Sequence, residues 1–158
     1  MTGTGGADGG APPTGPDARI SEARTAEART SEARTSEART SEARTAVVSA
    51  DTVPQREWGD GCAAWPLADT PALLVVEERM PPGTAEVPHR HVRATQTFYV
   101  LAGTLTMQIA GVAYTVSARQ CITVPAGVAH QARNDTDGPV EFLVIASPPT
   151  TGDRVDLP

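Results

Sequence analysis

Three histidines, His89, His91 and His130, are the side chains best suited to chemistry in this 158-residue chain. His89 and His91 stand two apart in "VPHRHVRATQTFYVLAG", so on a strand both rings leave the same face. Imidazole binds borderline transition metals and can exchange protons near neutral pH. Gln96 follows His91 by five positions, an odd offset that an unbroken strand would send to the other face. It joins the histidines only if the chain bends between Val92 and Thr95, and "VRAT" has the weak strand character that permits a bend. His130 follows the turn Pro125-Ala126-Gly127, which can deliver a new strand beside the first pair. All three imidazoles and the amide can therefore converge.

The elements that must position them read as short strands. "ALLVVEERM" (72–80) is rich in strand-forming residues and stops at Pro81-Pro82-Gly83. "TLTMQIAGVAYTVS" alternates on both sides of Ala110-Gly111, which predicts a hairpin with a two-residue turn. "CITVPAGVAH" is a strand, a turn and a strand start, and "PVEFLVIAS" (139–147) is an apolar strand closed by Pro148-Pro149. No window has a helical period. Short strands at roughly 8–12-residue spacing predict an all-β sandwich or barrel.

Side-chain parity assigns further candidates. If Gln96 points inward, Phe98 and Val100 do so too and line the substrate pocket, while Tyr99 points away. If the histidines converge on a metal, acid–base partners are few, because the chain has no lysine. Tyr114, on the hairpin's return strand, and Glu77 and Arg79, on one face of the 72–80 strand, are the candidate catalytic or substrate-orienting residues. Cys121 is expected in a strand core, and Trp58 and Trp65 in packing or at an interface. Arg154 lies between two aspartates in "GDRVDLP" and reads as solvated.

Residues 1–19 are mostly Gly, Pro, Thr and Ala, and 21–45 are five copies of the pentamer SEART or AEART. On a helix each pentamer would turn the pattern by about 140° past a full turn, so no apolar stripe forms. Residues 1–45 are expected to be a disordered low-complexity tail, and 46–158 the folded domain. The net charge is −6, and no basic patch marks a nucleic-acid footprint. Without lysine there is no Schiff-base chemistry. The longest apolar runs are too short for a membrane span, and no charged-then-apolar leader is present. Two cysteines make no disulfide framework, so the expectation is a soluble, cytoplasmic protein.

Two spaced motifs add a family. Gly83, five residues, His89-x-His91, four residues, Gln96, six residues and Gly103 resembles the first cupin motif. Pro125-x-Gly127, two residues, His130, three residues and Asn134 resembles the second. Two departures stand out: Gln96 replaces the usual glutamate, and Arg119 stands where a glycine opens the second motif. The resemblance implies a double-stranded β-helix (jelly-roll) barrel, usually a homodimer, acting on a small molecule. It also implies one divalent transition metal, Zn, Fe, Ni or Mn, held by His89, His91, Gln96 and His130.

A glutamine in that set brings no charge, so a divalent ion keeps both of its own. This favours stabilising an anion such as an enolate, the chemistry of isomerases, cyclases and lyases on sugar- or polyketide-like substrates. The carboxylate of the 2-His-1-carboxylate oxygenases is missing. The alternatives are a three-histidine iron dioxygenase and a non-catalytic small-molecule-binding cupin.

Overall fold

A computed structural model describes residues 45–158; the expected tail with its SEART repeats, 1–44, lies outside the described residues. Eleven strands follow in chain order: β1 Arg56–Trp58, β2 Cys62–Asp69, β3 Leu74–Met80, β4 His89–His91, β5 Thr95–Ala102, β6 Thr104–Ile109, β7 Val112–Ser117, β8 Cys121–Val124, β9 His130–Arg133, β10 Val140–Ser147 and β11 Arg154–Asp156. They form a six-stranded sheet, β1-β2-β3-β10-β5-β8, and a five-stranded sheet, β11-β4-β9-β6-β7, and these strands pair antiparallel throughout. The described residues contain no helix, and so none that could cross a membrane. The all-β architecture is the one that the spacing of strands and turns predicts, and its two sheets form the jelly roll that the resemblance implies.

Strand alternation builds the core. In β5, Gln96, Phe98 and Val100 are buried while their neighbours are more exposed. In β10, Val140, Phe142, Val144 and Ala146 are buried in the same rhythm. The register places Phe98 opposite Val144 and Val100 opposite Phe142. From the other sheet, Leu105, Met107, Val116 and Ala132 complete the cluster. Each large side chain buried this way stabilises the fold by roughly 1.5–3 kcal/mol.

The turns carry the sequence's special residues. The β6–β7 hairpin pairs Ile109 with Val112, and its two-residue turn puts Ala110 at φ +48° and Gly111 at φ +82°. That is the double positive φ of a type I′ turn, with alanine in the less tolerant place. Gly103 has no substitute, because a Cβ there would lie 2.6 Å from the Pro139 carbonyl oxygen. At the departure from the second motif, Arg119 takes φ +69° and forms the turn a glycine would form. Its N–H donates to the Val100 carbonyl at 2.8 Å, and Val100 N–H donates to the Gln120 carbonyl at 3.0 Å.

Cys121 departs from its expected core position. It is exposed on β8, because Ile122 and Val124 take the inward parity of that short strand. Cys62 is the buried thiol.

Candidate metal centre

His89 and His130 face each other directly across β4 and β9, and His91 shares β4's inward face. The ring centroids of His89 lie 4.4 Å from His130 and 5.1 Å from His91, and all three rings are buried. One nitrogen from each lies within 4.8 Å of the others, a spacing able to hold a metal ion.

The bend between β4 and β5 brings in Gln96. Its cause sits sixty residues away. Asp153 is 4 % exposed, and its carboxylate accepts the backbone N–H of Ala94 at 2.8 Å and that of Arg93 at 3.1 Å. The Arg93 side chain closes the clamp at 3.0 Å. Burial alone would push the Asp153 carboxyl up. The Ala94 and Arg93 N–H groups, with the Arg93 guanidinium, outweigh it and hold the group below the ordinary carboxylate range.

Hydrogen bonds fix the tautomers. His89 Nδ1–H donates to the Val87 carbonyl and His130 Nδ1–H to the Val128 carbonyl, each at 2.9 Å. In the neutral rings Nε2 then carries a lone pair on both. Gln96 Oε1, also an acceptor, lies 2.9 Å from His130 Nε2. With the oxygen turned to the ring, a cation beside both lone pairs would relieve their repulsion. His91 Nδ1 is buried without a hydrogen-bond partner, 3.9 Å from Asp153 Oδ2. The donor set therefore fits a divalent transition metal, with Asp153 beside a ligand ring as an outer carboxylate.

Burial keeps the rings neutral. It pushes His89 down to about 4, against the Val87 hydrogen bond and with help from Arg154. His91 and His130 are lowered by burial too, with His130 as a further cause for His91 and Arg154 as one for both. Neutral imidazoles are the form that binds metal.

A cavity of about 180 Å³ opens on the site, lined among others by Glu78, Glu86, His89, Gln96, Phe98 and Arg154. Burial raises both carboxyls. Glu78 reaches about 8, with repulsion from Glu86 adding to the rise and Arg154 opposing it. Glu86 is raised although Ala132 N–H donates to it at 3.1 Å and Arg154 lies 3.8 Å away. Arg154 also approaches His89 Nε2 at 3.4 Å.

The model of the cupin domain matches residues 76–146, which include both spaced motifs. That match covers just under half of the chain. KdgF from a Halomonas species is 21% identical, with a TM-score of 0.62 over 67% of this chain and 96% of that one. The polyketide cyclase RemF from Streptomyces resistomycificus is 21% identical, with a TM-score of 0.63 over 72% and 86%. A sugar phosphate isomerase from Silicibacter pomeroyi, of a cupin superfamily, is 24% identical, with a TM-score of 0.59 over 65% and 75%. These likenesses show the fold. No curated protein matches the chain.

Within the two sheets, His89, His91, His130 and Gln96 come together as the spacing predicts. Phe98 lines the cavity, its ring 6.1 Å from His130. Val100 points inward but lies fully buried in the core and lines no described cavity. Glu77 and Arg79 share the wrong face of β3. Leu74, Val76 and Glu78 line the cavity, whereas Arg79 pairs with Glu141 at 3.7 Å on the outer side. Tyr114 has the parity of buried Val116, but β7 is the edge of its sheet, so the ring is 45% exposed and lines no described cavity.

Four residues of the site were not among the candidates. Glu78 was accessible to sequence reasoning, since it shares parity with the apolar Leu74, Val76 and Met80. Glu86 lies in an irregular segment with no period to read. Asp153 and Arg154 reach the site only because β11 pairs with β4, Arg154 opposite His91.

Proposed function

We propose that this protein is a metal-dependent, non-redox enzyme, an isomerase, cyclase or lyase that enolises a small oxygenated substrate. One observation carries the reading: three neutral donors, His89, His91 and Gln96, and two half-buried carboxyl groups, Glu78 and Glu86, line the same cavity. His89, His91, His130 and Gln96 would hold one divalent ion, Zn, Fe, Ni or Mn, and that ion would supply Lewis acidity toward a carbonyl oxygen.

The chain's own residues handle the proton. The α C–H bond of the substrate breaks and its proton passes to whichever of Glu78 and Glu86 is ionised. The C–H electron pair becomes a C=C bond while the carbonyl π pair moves onto oxygen. The other carboxyl, protonated, returns a proton at oxygen or at a neighbouring carbon, so no electrons are gained or lost overall. A raised carboxyl pKa suits both halves of this exchange near neutral pH. Phe98, Val76 and Val144 give the same cavity apolar walls. The likeness in fold to a polyketide cyclase and a sugar phosphate isomerase supports the class of reaction.

The test is solvent deuterium incorporation at the α carbon of α-hydroxyacetophenone, followed by NMR with the Zn-loaded full chain under nitrogen. Incorporation above the buffer rate, lost in Glu78→Gln/Glu86→Gln, is the expected result. No incorporation, with dioxygen uptake by the Fe-loaded chain, would replace this reading by the dioxygenase. Neither activity, with tight small-molecule binding, would replace it by a non-catalytic binding protein.

A further inference from the structure

Strand β11 lays Arg154 beside the histidines. The register sets it opposite His91 and sets Asp156 opposite His89, so both side chains leave the strand on the face that holds the imidazoles. Arg154 lines the cavity of about 180 Å³ over the histidines and a neighbouring cavity of about 360 Å³, and it is the one guanidinium lining either described cavity.

Two of its nitrogens are anchored. Nε–H donates to Asp156 Oδ1 at 2.7 Å, and Nη2–H donates to the Val87 carbonyl at 3.2 Å. The guanidinium is planar and rigid, so these two bonds aim the third nitrogen as well. That nitrogen, Nη1, approaches His89 Nε2 at 3.4 Å and stands 3.8 Å from Glu86 Oε1, beyond hydrogen-bond distance.

The approach to His89 is the informative contact. His89 Nδ1–H donates to the Val87 carbonyl, so Nε2 carries the lone pair that a metal would take. With that lone pair committed to an ion, the Nη1 hydrogens have no acceptor among the described residues. A permanent cation then stands fixed beside a divalent one, and the neutral donors His89, His91, His130 and Gln96 bring no charge to offset the repulsion. An anionic oxygen placed beside both would accept from Nη1–H and relieve it. The ion and Arg154 together outweigh Asp156 and one ionised glutamate, so the cavity keeps positive charge for such a group.

Pairing with Glu86 does not account for this aim. The Glu86 carboxylate already accepts Ala132 N–H at 3.1 Å, and Asp156 is the nearer acid to the guanidinium.

We propose that Arg154 is a specificity-determining residue whose Nη1–H groups bind an anionic oxygen group of the substrate, a carboxylate or a phosphate, next to the metal-binding nitrogen of His89. This rests on the enolising reading for the reacting carbons and adds the charged group that the substrate carries beside them. A cavity of about 180 Å³, the liquid volume of roughly six waters, suits a small acid.

The experiment compares three α-hydroxy ketones on the Zn-loaded full chain. Hydroxyacetone is uncharged, hydroxypyruvate carries a carboxylate, and dihydroxyacetone phosphate carries a phosphate. Calorimetry gives the affinities, elemental analysis gives the zinc in the same samples, and NMR follows deuterium exchange. Affinities are taken per bound zinc, so partial loss of metal does not imitate loss of the anion site. At least one anionic ketone is expected to bind about tenfold or more tightly than hydroxyacetone, and the tighter of the two identifies the group. Arg154→Gln should remove about tenfold of that advantage and leave hydroxyacetone within about twofold of wild type. Arg154→Lys keeps the charge and loses the fork, and should fall between the two. An anion advantage untouched by Arg154→Gln, as the metal alone would give, overturns the proposal, and so does equal binding of all three ketones to the wild type. Deuterium exchange that persists while Arg154→Gln changes no affinity rejects the role of Arg154 alone. Anion binding that follows Arg154 without exchange in any of the ketones rejects the enolising reading alone.

Discussion

The Asp153 carboxylate accepts the Ala94 backbone N–H at 2.8 Å, and this bond sets the bend that turns Gln96 toward His130. A residue near the C-terminal end of the described chain thus shapes the ligand set. The same carboxylate stands 3.9 Å from the unpartnered Nδ1 of His91. Replacing it by alanine leaves the Arg93 and Ala94 N–H groups without their acceptor. Asp153→Ala should weaken Zn binding about 10- to 100-fold, the usual effect of losing a carboxylate behind a ligand. Competition with a chromophoric chelator measures it. Because Asp153 is held below the ordinary carboxylate range, the wild-type clamp persists through neutral and mildly acidic pH and is lost only as pH falls through that lowered value. An affinity equal to wild type would show that the bend holds without Asp153.

Gln96 leaves the ligand set uncharged. Gln96→Glu adds one negative charge with nearly the same shape, so the ion is retained and its pull on a carbonyl oxygen falls. The deuterium exchange rate should drop about tenfold or more, which corresponds to about 1.4 kcal/mol in the barrier. Metal content is read by elemental analysis of the same sample. An unchanged rate with metal in place would count against Lewis-acid catalysis.

Glu78 makes stability depend on pH in a set direction. Burial, with Glu86 adding, holds it at about 8 in the folded chain, far above its ordinary 4.5. The folded state prefers the protonated form. It suffers no penalty below the ordinary value, a growing one as pH rises toward 8, and a constant one beyond. Glu78→Gln cannot ionise. Denaturant titrations of metal-free protein should find it close to wild type at pH 5 and more stable at pH 8.5, by on the order of 1–2 kcal/mol once screening is allowed for. A gap that is the same at both pH values would show that Glu78 is not raised.

Arg119 sits at φ +69° in a turn whose bonds are backbone N–H to carbonyl. The left-handed conformation costs a side-chain-bearing residue about 1–2 kcal/mol, and glycine's extra freedom when unfolded returns part of that. Arg119→Gly should stabilise the fold by about 0.5–1 kcal/mol in thermal or chemical unfolding. Loss of stability would mean that the arginine side chain supports the turn.

The sequence reading reached the fold through strand alternation and turn residues, because both act locally. Ala110-Gly111 closes its hairpin and Gly103 is forced by a close carbonyl. The four ligand-type residues were legible because each sits beside a turn or bend that must aim it. Glu78 was passed over for Glu77 and Arg79 because three consecutive charged residues hide a strand's parity; fully buried Met80 reveals it. Arg154 was read as solvated and in fact stands among His89, Glu86 and Val87. Nothing local marks it, since its place depends on β11 pairing with a strand some sixty residues earlier. Tyr114 shows the converse: its parity is right, but parity does not tell that β7 is a sheet edge.

The metal content of the full chain, purified without chelator or nickel resin and set beside His91→Ala, tests the central claim most directly. The account predicts about one divalent ion per chain in the wild type and loss of most of it in the variant. A wild-type chain that takes up none of Zn, Fe, Ni or Mn, or a variant that holds its full share, contradicts it.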